Sequence, residues 1–308
     1  MPDIVITEFM DEDAIAQVLA GRDVLYDPKL VDQPDRLAAA LTDARAIIVR
    51  NRTQVRQALL DKAPNLKVVG RLGVGLDNID TAACAARNVK VRPATGANDL
   101  AVAEYVITAA LMLLRKSWFA SARVAAGEWP RTDLMGREGA GKRLGLIGYG
   151  AIARLTAQKA RALGFSIAAY DPHLPERHPA WVQVERQSLD ALLESADVVS
   201  LHVPLTPSTT NIINEAAIAR MRKDAILINA ARGGVVDEEA LCAALVEGRL
   251  GGAALDVFAT EPVTASSGAM FQGVPNLILT PHIAGVTDES NARVSEVTAR
   301  AVLEELGA

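Results

Sequence analysis

Three polar residues in the second half of the chain stand just past apolar runs and could do chemistry together. They are Arg232 after Ile226 to Ala231, Glu261 after Ala253 to Phe258, and His282 after Leu277 to Pro281. A histidine changes charge near neutral pH and can give or take a proton. A carboxylate beside it can hold the ring and stabilise its cation, and an arginine fork can grip a carboxylate. Taken singly, each also has a plain structural reading: Arg232 as a charge at a helix end, Glu261 as the solvated partner of Pro262 in a turn, His282 as a satisfied loop histidine. Their shared position favours a site, because the carboxyl ends of strands line the ligand crevice in open α/β sheets.

The elements that must position them are legible in outline. Short β-branched runs recur, among them Ile4 to Ile6, Ile47 to Val49, Val68-Val69, Leu144 to Ile147, Ile167 to Tyr170, Val198-Val199, Ile226 to Ile228 and Leu277 to Leu279. Helical patterns separate them at 14–19, 54–62, 152–163, 189–195 and 238–247. This alternation predicts α/β architecture with parallel sheets buried on both faces. At 308 residues, half of them hydrophobic, the chain exceeds what one core usually supports, so two domains are expected. Pro93, Gly96, Asn98 and Asp99 mark a boundary before a long apolar helix. The tail from Thr287 to Leu306 reads as a helix with Val294, Val297, Ala301 and Leu306 on or near one face.

Gly148-Tyr149-Gly150-Ala151-Ile152-Ala153 follows the strand pattern ending at Ile147 and opens a helical one. In a dinucleotide site the first glycine makes the tight turn, and the second lets a pyrophosphate reach the amides at the helix start. Ala153 in the third glycine position is a tolerated variant. Such glycines can also serve helix–sheet packing alone. The context favours the cofactor: Asp171 ends the next strand about 20 residues on, where an acid binds ribose hydroxyls. A carboxylate there repels a 2′-phosphate, and no arginine adjoins it, which favours NAD over NADP.

Composition excludes several classes. The net charge of −5 and the lack of a basic stripe argue against nucleic acid. The longest apolar stretch, 101–114, is interrupted by Glu104 and is short for a membrane span. Cys84 and Cys242 suit neither a disulfide framework nor a zinc site and read as small core residues, and no metal is expected. The start of the chain turns acidic at Asp11 without a secretory pattern, so a cytoplasmic protein is expected.

On these motifs the chain resembles the D-isomer-specific 2-hydroxyacid dehydrogenases, nearest to 3-phosphoglycerate dehydrogenase-like members without the regulatory domain. The resemblance runs through Val49 to Thr53, Gly70 to Asp80, the glycine motif, His202 to Thr206, Asn229 to Gly234, Asp256 to Phe258, Glu261-Pro262 and Pro281 to Gly285. It implies two doubly wound parallel-sheet domains: a flavodoxin-like split substrate domain, 1–97 with 286–308, and an inserted Rossmann NAD domain, 98–285. It implies Arg232, Glu261 and His282 as the catalytic set. Cofactor contacts would come from Gly148, Gly150, Ala151, Ile152, Asp171, His202, Pro204, Ala230, Ala231, Arg232, Asp256 and His282. Substrate contacts would come from Arg50, Arg71, Val74, Gly75, Asn98 and Arg232, with the Val74 and Gly75 amides meeting a carboxylate. A homodimer through the cofactor domain is also implied.

There are departures from the family pattern. Asp99 and Ala101 stand where many relatives carry serines, and Asp99 is expected to cap the long helix. Ala151 stands where relatives often carry arginine. Arg50, Arg52 and Arg71 lie near strand ends of the first domain, and solvated surface arginines are the plain alternative for each. If two of them face the cleft, the substrate carries a second anion. A three-carbon acid such as 3-phosphoglycerate or 3-sulfolactate is then expected, with hydroxypyruvate or glyoxylate reduction as the alternative. A non-catalytic NAD-sensing interaction protein fits less well with the full Arg232, Glu261 and His282 set. Formate dehydrogenase would carry glutamine for Glu261, and a methyltransferase would not explain the later motifs.

Overall fold

The structure is a computed structural model that describes residues 2–307. It divides into two units, Met1–Asn98 with Val286–Ala308, and Asp99–Gly285.

The first unit is built on strands β1 (Ile4–Ile6), β2 (Val24–Tyr26), β3 (Ala46–Val49), β4 (Val68–Arg71) and β5 (Lys90–Pro93). All pairs are parallel, in the order β2-β1-β3-β4-β5, which is the flavodoxin-like doubly wound order. β1 and β3 are buried at every position, which is why their sequences are continuous β-branched runs rather than alternating ones.

The helix Asp288–Leu306 packs on this sheet and starts from a capping box in which Thr287 and Ser290 exchange backbone-to-side-chain bonds. Its buried face carries Val294, Thr298, Ala299, Val302 and Leu306, while Val297, expected on that face, is exposed. The apolar pattern misplaced the face because buried Thr298 meets its polar needs locally. Its hydroxyl donates to the Val294 carbonyl at 2.7 Å and, more weakly, to that of Arg71. The helix lies so close to β4 that a Cβ at Gly70 would sit 2.7 Å from Val302 Cγ2 and 2.8 Å from Thr298 Cγ2.

The second unit holds β6 (Arg143–Ile147), β7 (Ser166–Tyr170), β8 (Glu185–Arg186), β9 (Val198–Leu201), β10 (Ile226–Asn229), β11 (Gly252–Leu255) and β12 (Leu277–Leu279). Their order, β12-β11-β10-β9-β6-β7-β8, is again all parallel. The chain leaves β6 towards one edge and returns at β9 on its other side, so the topological switch point of this Rossmann sheet lies between the ends of β6 and β9. The long helix Asp99–Arg115 buries Val102, Val106, Ala110 and Leu113. Asp99 occupies its first turn instead of standing before it as a cap, and burial raises its carboxyl above the ordinary value. Cys84 and Cys242 are both free and buried.

The Gly70 contact gives a direct test of the docking of the last helix. Gly70→Val is expected to destabilise the protein by roughly 1–3 kcal/mol, the usual range for overpacking a core. A urea or thermal unfolding curve unchanged from the wild type would show that the helix does not pack this closely.

Candidate active site

At the switch point, Gly148 adopts φ +86°, and an added Cβ would lie 2.5 Å from the His202 carbonyl oxygen. Only glycine can make this turn so close to a neighbouring backbone. Gly150 is different. It precedes the helix Ala151–Ala162, whose start has no side-chain cap, and an added Cβ there would meet no protein atom within 4 Å. Internal packing therefore does not account for Gly150, whereas a bound pyrophosphate over the uncapped amides would. Ala153 is fully buried, as a close helix–sheet contact needs.

Asp171, just after β7, accepts hydrogen bonds from the backbone N–H groups of Tyr149 (2.9 Å), His173 (2.9 Å) and Leu174 (3.1 Å). It thus ties its own loop to the glycine turn. These residues fit the dinucleotide. On the other side of the switch point, burial pushes the His202 imidazole down to about 4, so the ring is neutral at pH 7, with Nε2 3.0 Å from Ser200 Oγ. Pro204 is exposed beyond it, and Ala230 and Ala231 follow β10, half-buried.

The Arg232, Glu261 and His282 loops are held by backbone contacts within this unit. Glu261 Oε2 lies 2.7 Å from His282 Nδ1, and Glu261 Oε1 accepts the Phe258 N–H at 2.9 Å. Burial would raise the Glu261 carboxyl. Hydrogen bonds from His282 and the Phe258 amide, with the charges of His282 and Arg232, outweigh it and hold the group below its ordinary 4.5. Arg232 Nη1 donates to the Ala231 carbonyl at 2.6 Å. Asn229 braces that turn, accepting from the Ala231 amide and donating to the Arg232 carbonyl. Gly233 seats the turn against the backbone of Phe258, where any Cβ would overlap the carbonyl.

His282 itself has φ +57°, an uncommon conformation for a residue with a side chain. It is held there by Asp256. The Asp256 carbonyl accepts the His282 amide at 2.8 Å, and its buried carboxylate takes the amides of Ile283 and Ala284 at 2.8 Å and the Thr280 hydroxyl at 2.6 Å. Tyr105 OH reaches the same Thr280 hydroxyl at 2.6 Å. Sequence reasoning assigned Asp256 to the cofactor and passed over Thr280, Tyr105 and Asn229. Thr280 and Tyr105 stand in no pattern that announces contacts so distant along the chain, whereas Asn229 acts within the Asn229 to Gly234 segment, two and three residues away.

In the first unit, the amides of Val74 and Gly75 have no acceptor among the described residues. Arg71 folds under their loop, its guanidinium donating to the carbonyls of Gly75 (2.8 Å, from Nε) and Leu72. Gly73, at φ +141°, lies against that guanidinium with no room for a Cβ. Asn78 ties this loop to the next one by donating to the Thr53 carbonyl at 2.7 Å. Arg50 Nη2 donates to Asn291 Oδ1 at 2.9 Å, and the guanidinium lies 5.7 Å from the centre of the Phe9 ring. Arg52 pairs with Asp32 on the surface. Asn98 Oδ1 is buried and has no hydrogen-bond partner among the described residues, a condition a bound ligand would relieve.

Sheet order, switch point and glycine turn define a dinucleotide-binding Rossmann fold. The family model of the D-isomer specific 2-hydroxyacid dehydrogenase, NAD binding domain, matches residues 107–284, and the chain belongs to this family. It is 52% identical over 308 residues to an (S)-sulfolactate dehydrogenase of Chromohalobacter salexigens, covering 100% of this chain and 99% of that one. It is 41% identical over 274 residues to a D-3-phosphoglycerate dehydrogenase of Mycobacterium tuberculosis, covering 88% of this chain but 51% of the relative. A D-lactate dehydrogenase from Aquifex aeolicus, solved with NAD and lactic acid, superposes with TM-score 0.83 at 29% identity, covering 99% of this chain and 97% of that one. The protein is an NAD-dependent oxidoreductase that interconverts a 2-hydroxy acid and its 2-keto acid. Among the described residues no cluster of three His, Cys, Asp or Glu could hold a metal ion, and no helix is long and apolar enough to cross a membrane.

The lowered Glu261 carboxyl gives a pH signature. Its contribution to folding is present above the ordinary value of 4.5 and is lost as pH falls through the lower folded value. The stability difference between wild type and Glu261→Gln, measured by urea titration, is therefore expected to be constant near neutrality and to shrink as pH drops below 4.5. A difference that stays flat through that window would mean that the Glu261 carboxyl is not lowered in the folded protein.

Proposed function

We propose that the enzyme acts on a three-carbon 2-hydroxy acid with a second anionic group, 3-sulfolactate before 3-phosphoglycerate, with His282, Glu261 and Arg232 as its catalytic residues. The observation that carries the substrate reading is the 52% identity to an (S)-sulfolactate dehydrogenase across the full length of both chains. The match to the phosphoglycerate enzyme is lower and spans about half of that relative. The half-buried Arg50 guanidinium supplies a fixed donor of the kind sulfonates and phosphates require. Arg71 serves the same site through the loop it supports.

Bound NAD supplies the acceptor or donor of the hydride. Its pyrophosphate is assigned to the amides after Gly150 and its ribose to Asp171, with His202, Pro204, Ala230, Ala231 and Asp256 completing the cofactor side. The proton chemistry belongs to His282. Its Nδ1 faces Glu261, which fixes Nδ1–H in the neutral ring and leaves Nε2 to take the hydroxyl proton on oxidation. In the reverse direction Nε2–H returns the proton to the oxygen formed as the carbonyl is reduced. Glu261 stabilises the ring while it carries both protons. The Arg232 fork grips the substrate carboxylate and orients the reacting carbon, and the open amides of Val74 and Gly75, with Asn98, receive the remaining carboxylate and hydroxyl contacts.

The same reading includes a cytoplasmic homodimer. Trp129 is 77% and Met135 71% exposed, close in sequence to the long helix Asp99–Arg115, and a second copy would cover this apolar surface. Light scattering is expected to give twice the chain mass; a monomer at micromolar concentration would refute the dimer.

The catalytic and substrate assignments are tested in one assay, initial rates with NAD against 3-sulfolactate, 3-phosphoglycerate, glycerate, lactate and malate. Sulfolactate is expected to give the highest kcat/KM, and His282→Ala to lower kcat about 10²–10⁴-fold. Higher efficiency with lactate would overturn the second anion, and full turnover by His282→Ala would overturn the proton assignment.

A further inference from the structure

Glu8 is the least expected charge in the first unit. It stands two residues past β1, is 4% exposed, and no part of the chemistry above uses it. Its carboxylate is nonetheless fully engaged. Oε1 accepts the backbone N–H groups of Arg50 (2.9 Å) and Thr53 (3.0 Å), and Oε2 accepts those of Asn51 (3.2 Å) and Arg52 (3.0 Å). Four consecutive amides converge on one anion, the arrangement by which backbone elsewhere encloses a bound anion. The loop so wrapped is the one that presents Arg50.

We infer that Glu8 is a positioning residue for substrate specificity, an internal anion that fixes the 50–53 loop so that Arg50, steadied at its tip by Asn291, is aimed at the second anionic group of the substrate. The inference rests on the substrate reading above. Three features support it. The Thr7 and Thr53 hydroxyls, 2.8 Å apart, anchor the loop beside Glu8, so the carboxylate is needed for the shape of the loop rather than for its attachment alone. Burial lowers the Arg50 guanidinium from its ordinary value and the Glu8 charge opposes this, so the same carboxylate offsets part of the cost of holding the Arg50 cation in a half-buried place. Burial would also raise the Glu8 carboxyl, but the loop amides outweigh it and hold the group below its ordinary value, so the anchor stays charged at neutral pH.

Glutamine at position 8 would keep the size of the side chain and one acceptor oxygen, but would turn an N–H₂ group towards amides that also donate. The loop would lose its shape while the sheet beneath it remained paired. Because Arg50 would bind a part of the substrate remote from the reacting carbon, losing its aim should weaken binding more than chemistry.

The test compares Glu8→Gln, Arg50→Gln and the double variant, with 3-sulfolactate and NAD. Glu8→Gln is expected to raise KM at least 10-fold, with a much smaller change in kcat. The double variant is expected to be no worse than Arg50→Gln, because Glu8 acts through Arg50. Equal losses in kcat and kcat/KM, or additive losses in the double variant, would overturn the inference. If Arg50→Gln leaves KM unchanged, the second-anion reading falls and takes the inference with it. If Arg50→Gln raises KM and Glu8→Gln does not, only the role of Glu8 falls. Should Glu8→Gln fail to fold, Asn291→Ala frees the tip of Arg50 without touching the buried carboxylate. It is expected to raise KM about threefold, and only when Arg50 is present; no change would count against the aiming of Arg50.

Discussion

The Asp256 carboxylate is 1% exposed and takes the Thr280 hydroxyl at 2.6 Å and the amides of Ile283 and Ala284 at 2.8 Å each. An isolated carboxylate in such a place would be costly, and these donors satisfy its oxygens. The same device recurs at the ends of other parallel strands. Asp171 gathers two amides beyond β7 and one beyond β6, and Glu8 gathers four beyond β3 from its own place beyond β1. A parallel sheet sends its chain out of the strand ends into loops whose amides have lost their ladder partners, and a buried acid can satisfy a whole loop at once. The glycine turn, the His282 turn and the Arg50 loop are all fixed in this way.

The constraint has a cost that it also repays. His282 sits in the left-handed region at φ +57°, where a residue with a Cβ loses of order 1 kcal/mol or more. Asp256 accepts bonds from 280, 282, 283 and 284, which together leave the turn no other path. The ring therefore meets Glu261 without needing to search for it, and Glu261 is itself fixed by the Phe258 amide. Orientation bought in the folding of the loop does not have to be found again in each turnover.

What could be read from the sequence follows from the same physics. Continuous β-branched runs announced parallel strands, because burial on both faces removes polar alternation from the pattern. The glycine turn was legible because its chemistry is local: Gly148, Gly150 and the helix start lie within a few residues, and Asp171 lies at a fixed distance. Arg232, Glu261 and His282 were visible as polar residues after apolar runs. The residues that hold the loops of the two units were not. Glu8 acts 42 to 45 residues away, Tyr105 meets Thr280 across 175, and Asn78 reaches Thr53 across 25. Nothing in a single chain marks an acid as a buried anchor rather than a surface charge. Val297 was misplaced for a related reason: apolar periodicity cannot see that Thr298 satisfies its hydroxyl inside the helix and can be buried in its place.

The division of labour inside the first unit bears on how such an enzyme changes its substrate. The Val74–Gly75 loop and the Arg50 loop are not independent, since Asn78 donates to Thr53, the Val55 amide bonds the Asn78 carbonyl at 2.8 Å, and the Asp80 amide bonds the Val55 carbonyl at 2.8 Å. A substitution that shifts one loop is therefore transmitted to the other. Arg50 projects from its loop and is met at the side chain, by Asn291 and the Phe9 ring, whereas Glu8 and Asn78 bond the backbone of the loops themselves. On the substrate reading proposed above, recognition of the variable part of the acid would change most readily at the side-chain tips, because the amides assigned to its constant part belong to backbone that the loop-to-loop bonds hold.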